Sequence, residues 1–104
     1  MYTTKMEETI SVRIPREELI EIDFISKNEN TPKSTTLREV LKKGIKEKKL
    51  EIALVKFQKK EATASRAAKI AGIPLTLFLD ILQGRNINFH YDLEDLKEDT
   101  QDLL

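Results

Sequence analysis

The chain has no cysteine, no tryptophan and only three glycines in 104 residues. Without cysteine there is no disulfide framework and no thiolate zinc site. The composition is in keeping with a reducing, cytoplasmic setting, which is the expected location. Three glycines leave little material for a phosphate-cradling loop, and neither a Gly-rich loop nor a nucleophile elbow occurs. No apolar run approaches the ~20 residues of a membrane span, and no charged-then-apolar leader opens the chain, so no membrane role is expected. The single histidine, His90, lies between Phe89 and Tyr91 with no second ligand at metal spacing. It reads as a packed imidazole rather than a metal ligand. The acidic residues near the end lack the ordered loop and glycine of a calcium site. Taken together, these absences predict neither an enzyme nor a bound metal or cofactor.

Net charge is also lacking, since 18 basic side chains balance 18 acidic ones. The balance conceals an asymmetry. Residues 1–60 carry fourteen Lys/Arg against ten Asp/Glu, whereas residues 61–104 carry four against eight. A basic front and an acidic rear suggest different partners for the two halves, although ordinary solvated surface could produce the same bias. The length suits one domain or two very small ones. A domain of roughly 50 residues buries too little apolar surface to be secure alone, which makes pairing with a second chain a natural remedy.

What is present begins with an alternation. In Thr9-Ile10-Ser11-Val12-Arg13-Ile14, apolar and polar residues follow one another with period two, the mark of a strand with one buried face. Pro15 closes this segment and can sit early in a helix. Residues 16–28 have a helical pattern, with Leu19, Ile22 and Ile25 on one side and Ile20 and Phe24 widening it. After a turn at Asn28-Glu29-Asn30, Thr31-Pro32 reads as an N-cap followed by proline at the first helical position. The helix that follows carries Leu37, Val40, Leu41 and Ile45, and Gly44 predicts a break or kink before a further helix over 46–60.

A lone strand followed by two helices can hide neither its apolar face nor its hydrogen-bonding edges. The expected solution is an antiparallel ribbon made with the same strand of a second chain. Its dimer core would be Ile10, Val12, Ile14, Leu19, Ile22, Leu37, Val40 and Leu41. Such a ribbon fits the major groove of B-DNA, where Thr9, Ser11 and Arg13 would read bases. Phosphate would be held around the start of the second helix by Thr31, Lys33 and Ser34. The opposing possibility is that Thr9, Ser11 and Arg13 are merely a wet face and the unit only dimerises.

The run Val12-Arg13-Ile14-Pro15, with Leu19, Ile22-Asp23, Lys33-Ser34 and Leu37-Arg38-Glu39, resembles the ribbon-helix-helix DNA-binding regulators over about residues 8–48. That resemblance implies an obligate dimer, or a higher even oligomer, that reads a double-stranded operator with its strands. Lys33 departs from the arginine frequent there but still serves a phosphate as a point charge.

The rear half, 49–104, has a different pattern. Thr63 is an N-cap candidate for a short small-residue helix over Ala64–Ala71, Gly72-Ile73-Pro74 is a tight turn, and Leu75–Gln83 is a second helix that Gly84 would stop. Ala68 marks a close approach of the two helices, and Leu75, Phe78, Leu79 and Leu82 form a core face. This arrangement is that of a helix-turn-helix. Its second helix has Asp80 as its one charge, however, which favours protein contact or simple packing over DNA. Ile87–Tyr91 reads as a short strand, and Asp92 with Asp95 as the cap of a last acidic helix.

Ala53-Leu54, Phe57, Thr63, Arg66-Ala67-Ala68, Ala71-Gly72, Phe78-Leu79, Leu82, His90-Tyr91-Asp92 and Glu94-Asp95-Leu96 together resemble the UPF0175 family over about residues 51–96. Ser65 departs from the glycine common there. Members of that family are regarded as antitoxins encoded beside a small toxin. The expectation is therefore a mainly α protein, with a ribbon-helix-helix module at 8–48 and a UPF0175-like helical domain at 49–104. It would be a repressor of its own operon whose acidic end complements a toxin.

Overall fold

The chain was described with a computed structural model, in which residues 6–87 are the described ones. They form four helices: α1 (Arg16–Glu29), α2 (Lys33–Gln58), α3 (Ala64–Ala71) and α4 (Leu75–Gly84). The expectation of a mainly α protein holds. The expected strand at Thr9–Ile14 does not: residues 6–15 are irregular, and there is no strand among the described residues. Alternation specifies which way side chains point, but a strand is made by ladder hydrogen bonds, and nothing in the described chain supplies the second rung. The intertwined ribbon is overturned with it. The expected strand over 87–91 past Ile87, the acidic last helix and His90 lie outside the described residues.

The chain divides into two compact units between Glu39 and Val40, within α2. In the first unit, Pro15 is the N-cap of α1, and its carbonyl accepts from the backbone N–H groups of Glu18 and Leu19. Glu17 and Glu18 in the first turn and Lys27 in the last suit the helix dipole. Asn30 ends α1 in the left-handed conformation (φ 54°), and the Thr31 N–H reaches back to the Ser26 carbonyl at 3.0 Å. The side chains fully enclosed here are polar: Ser26, whose hydroxyl donates to the Asp23 carbonyl at 3.0 Å, and Thr36.

Two expectations for α2 need correction. The helix starts at Lys33, and the Pro32 carbonyl accepts its first bond, from the Thr36 N–H at 3.1 Å. Pro32, not Thr31, is thus at the cap. The Thr31 hydroxyl is instead 3.0 Å from the Thr36 hydroxyl. Gly44 neither breaks the helix nor separates two helices, because α2 runs unbroken for 26 residues. A single glycine in a helix costs about 1 kcal/mol. That penalty is outweighed by the strong helix formers around it and by the anchoring of Ala53 and Leu54 in a core.

That core belongs to the second unit. Ala53 and Leu54 of α2, Ala64, Ala67, Ala68 and Ala71 of α3, and Phe78 and Leu82 of α4 are buried together, with Leu50, Phe57, Leu75 and Leu79 packed against them. The rings of Phe57 and Phe78 meet edge to face, 5.8 Å apart at 84°. Four alanines on α3 let its neighbours come close, so a few large side chains fill the centre. Two residues past the end of α2, Lys60 is in the left-handed region (φ 63°), a feature with no glycine or asparagine to announce it in the sequence. Thr63 caps α3 as expected, its hydroxyl accepting from the Arg66 N–H at 3.3 Å. Gly72 (φ 75°) closes α3, and α4 turns 99° away from its direction. A Cβ at Gly72 would meet the Lys49 Nζ at 3.4 Å, so the requirement for glycine comes from φ rather than from crowding. Gly84 is the last residue of α4 rather than its stop, and Asn86 (φ 59°) takes the left-handed position. Among the described residues no single helix is long and apolar enough to cross a membrane.

Candidate functional site

The residues assigned to base reading, Thr9, Ser11 and Arg13, are all exposed. So are their apolar neighbours: Ile10 is 79% and Val12 71% exposed, and Ile14 is exposed too. In this segment the two side-chain sets are not divided into an inner and an outer face. Of the other expected dimer-core residues, Leu19 and Leu37 in the first unit are exposed and Ile22 is half-buried. Ile20 and Phe24 are likewise open to solvent. In the second unit Val40 and Leu41, and Ile45 one turn further along α2, are also uncovered.

The residues expected to hold phosphate come together in part. Ser34 is exposed in the first turn of α2, where a helix leaves its leading N–H groups without intrahelical acceptors. Thr31 is half-buried and engages Thr36. Lys33 is close by, but its Nζ is 2.8 Å from the Asp23 Oδ1, with both side chains about half exposed. Sequence reasoning missed the pairing of Asp23 with Lys33, because the contact spans the α1–α2 turn and no periodicity reports it. In an exposed ion pair of this kind, typically worth under about 1 kcal/mol, the ammonium keeps donor capacity but has lost part of its attraction for another anion.

The second unit has the geometry of two short helices joined by a tight glycine turn at a steep angle, as in a helix-turn-helix. On α4 the residues not used by the core are Thr76, Leu77, Asp80 and Gln83, all exposed. That surface has no cation with which to approach a phosphate backbone.

A family model described as an uncharacterised protein family, UPF0175, matches residues 6–104. The chain belongs to the UPF0175 family. The match takes in residues 8–48 as well as the rear, and no strand is present among the described residues. The front is therefore part of the family's own extent rather than a fused ribbon-helix-helix module. Curated relatives include a UPF0175 protein from Synechocystis sp., 38% identical over 53 residues, which are 51% of this chain and 60% of the relative. Another, from Aeropyrum pernix, is 40% identical over 53 residues, again 51% of this chain and 60% of the relative. The aligned stretch thus spans less than two thirds of either relative. No solved structure matches the chain.

Proposed function

We propose that this UPF0175 chain is a self-associating DNA-binding repressor that serves as the antitoxin of a toxin–antitoxin pair. The observation that carries the reading is the uncovered apolar surface of the front. Ten large apolar side chains between Ile10 and Ile45 are from 38% to 79% exposed. At about 2 kcal/mol for complete burial of each, covering them would release on the order of 10 kcal/mol per chain. Two chains together outweigh the roughly 4–15 kcal/mol lost when two bodies become one. A second copy is the simplest cover, and association would double every DNA contact.

The nucleic-acid part draws on the basic front half, on the exposure of Thr9, Ser11 and Arg13, and on Ser34 and Lys33 at the start of α2. The toxin-binding part draws on the acidic end of the sequence and on the resemblance to antitoxins, with the rear unit as its rigid support. One observation favours a rival in which the chain only binds protein: Lys33 is already paired with Asp23.

A titration of the full chain against its own promoter DNA at several salt concentrations separates the two. The proposal expects binding that weakens steeply with salt and that Arg13→Ala reduces by ~1–3 kcal/mol. Equal affinity for promoter and unrelated DNA, with Arg13→Ala indistinguishable from the parent, overturns the repressor reading in favour of the rival.

A further inference from the structure

The positive charge of this chain is not concentrated around Thr9, Ser11 and Arg13. Residues 6–39 hold five Lys/Arg against eight Asp/Glu, whereas residues 40–87, the described part of the second unit, hold eleven against four. Most of that surplus is on or just after α2. Between Lys42 and Lys60 there are eight lysines against Glu47 and Glu51. All eight are exposed except Lys56, which is half-buried. Two have weak partners, Lys48 with Glu51 and Lys56 with Glu61, each at 3.7 Å. Among the described residues no carboxylate is within ion-pair distance of Lys42, Lys43, Lys46, Lys49, Lys59 or Lys60.

The lysines are also ordered. Lys42, Lys49 and Lys56 recur at every seventh residue, which keeps them on one side of the helix, and Lys46 joins that side between the first two. The row is about 21 Å long. Its place in the unit is fixed at Lys49. A Cβ on Gly72 would meet the Lys49 Nζ at 3.4 Å, so that ammonium lies over the turn between α3 and α4.

A row of this kind suits a polyanion. Interfaces between proteins are depleted in lysine, and a second copy of α2 would set one lysine row against another. Duplex DNA carries about one charge per 1.7 Å of its axis, hence about twelve along 21 Å, and lysine serves phosphate as a point charge. We propose that the phosphate backbone of double-stranded DNA lies along the Lys42–Lys46–Lys49–Lys56 row of α2, beside the α3–α4 turn. The proposal rests on the DNA-binding reading and moves its main phosphate grip from the start of α2 to the second unit. Phosphate contacts fix position and carry no base preference, so the row holds promoter and unrelated duplex alike. The competing occupant is an acidic protein helix, which would also cover the exposed Ile45 and Ile52 beside the row.

Anisotropy titrations of the full chain over a range of salt test the proposal, with promoter duplex, an unrelated duplex, a duplex RNA of the promoter sequence and polyglutamate as probes. Lys42→Gln/Lys46→Gln/Lys49→Gln should weaken binding to both DNA duplexes at least about tenfold at low salt and flatten the salt slope by about two to three units. The matched variant Lys42→Arg/Lys46→Arg/Lys49→Arg should keep the parent slope. An arginine variant as weak as the glutamine one makes the loss structural and overturns the proposal. A parent-like slope in the glutamine variant overturns it and leaves the repressor reading standing. A flattened slope in a chain with no preference for the promoter supports the row and overturns the repressor reading. Tighter binding of the RNA duplex than of either DNA overturns the claim in favour of RNA. Absence of duplex binding by the parent overturns both readings, and binding of polyglutamate in that case assigns the row to an acidic protein.

Discussion

The two units of this chain solve the burial problem in opposite ways. From Val40 onward, eight apolar residues are buried together, Phe78 at their centre with its ring against Phe57, and the short α3 brings four alanines to them. Among residues 6–39 no apolar side chain is buried; the enclosed ones are Ser26 and Thr36. The front has formed helix ends but no buried apolar side chain between them, and helices draw most of their stability from packing rather than propensity. The difference teaches that local signals can be complete where the core is not. A segment of that kind depends on something outside itself.

Several substitutions sharpen or break this contrast. The largest effect is expected for Phe78→Ala, which empties the centre of the rear core and should cost about 3–5 kcal/mol in a urea titration of the full chain. A loss under 1 kcal/mol would mean the rear unit is not held by that ring. Next is Leu41→Ser, at a residue 64% exposed. It should leave the rear unit's denaturation midpoint unchanged while weakening self-association, measured by sedimentation equilibrium, by about 1–2 kcal/mol per chain. A change in the midpoint with no change in association would make Leu41 an intrachain packing residue. Gly72→Ala forces a Cβ into φ 75° and should destabilise the rear unit by about 1–2 kcal/mol. The smallest effect is expected for Lys60→Gly, which relieves a left-handed lysine at the end of α2. It should stabilise by less than about 1 kcal/mol, since glycine's extra freedom in the unfolded chain offsets part of the relief.

The rear was legible because its signals are local and agree with one another. Thr63 caps, Gly72 turns, and Phe78 and Leu82 recur on one face, and the structure keeps all of these. The helix predicted over 16–28 and the turn predicted at Asn28-Glu29-Asn30 are legible for the same reason, although the left-handed conformation of Asn30 is not among the expectations. The front went wrong where a local pattern stood in for a tertiary fact. The alternation of Ile10, Val12 and Ile14 predicts a strand, yet pairing is not encoded in alternation. Gly44 predicts a helix break, although its penalty is small against a helix anchored at its far end. The pairing of Asp23 with Lys33 is not legible because the two lie on either side of a turn. Of the candidate site, Thr9, Ser11, Arg13 and Ser34 are exposed, and the engagement of Thr31 with Thr36 and of Lys33 with Asp23 has no signal in the sequence.

The central claim is that the front half owes its stability to a second copy, and amide hydrogen exchange of the full chain over a range of protein concentrations tests it most directly. The account predicts that protection along α1 rises as the protein is concentrated, while protection in α3 and α4 stays constant. Protection of α1 that is already as high as that of α4 in dilute solution, and indifferent to concentration, would contradict it.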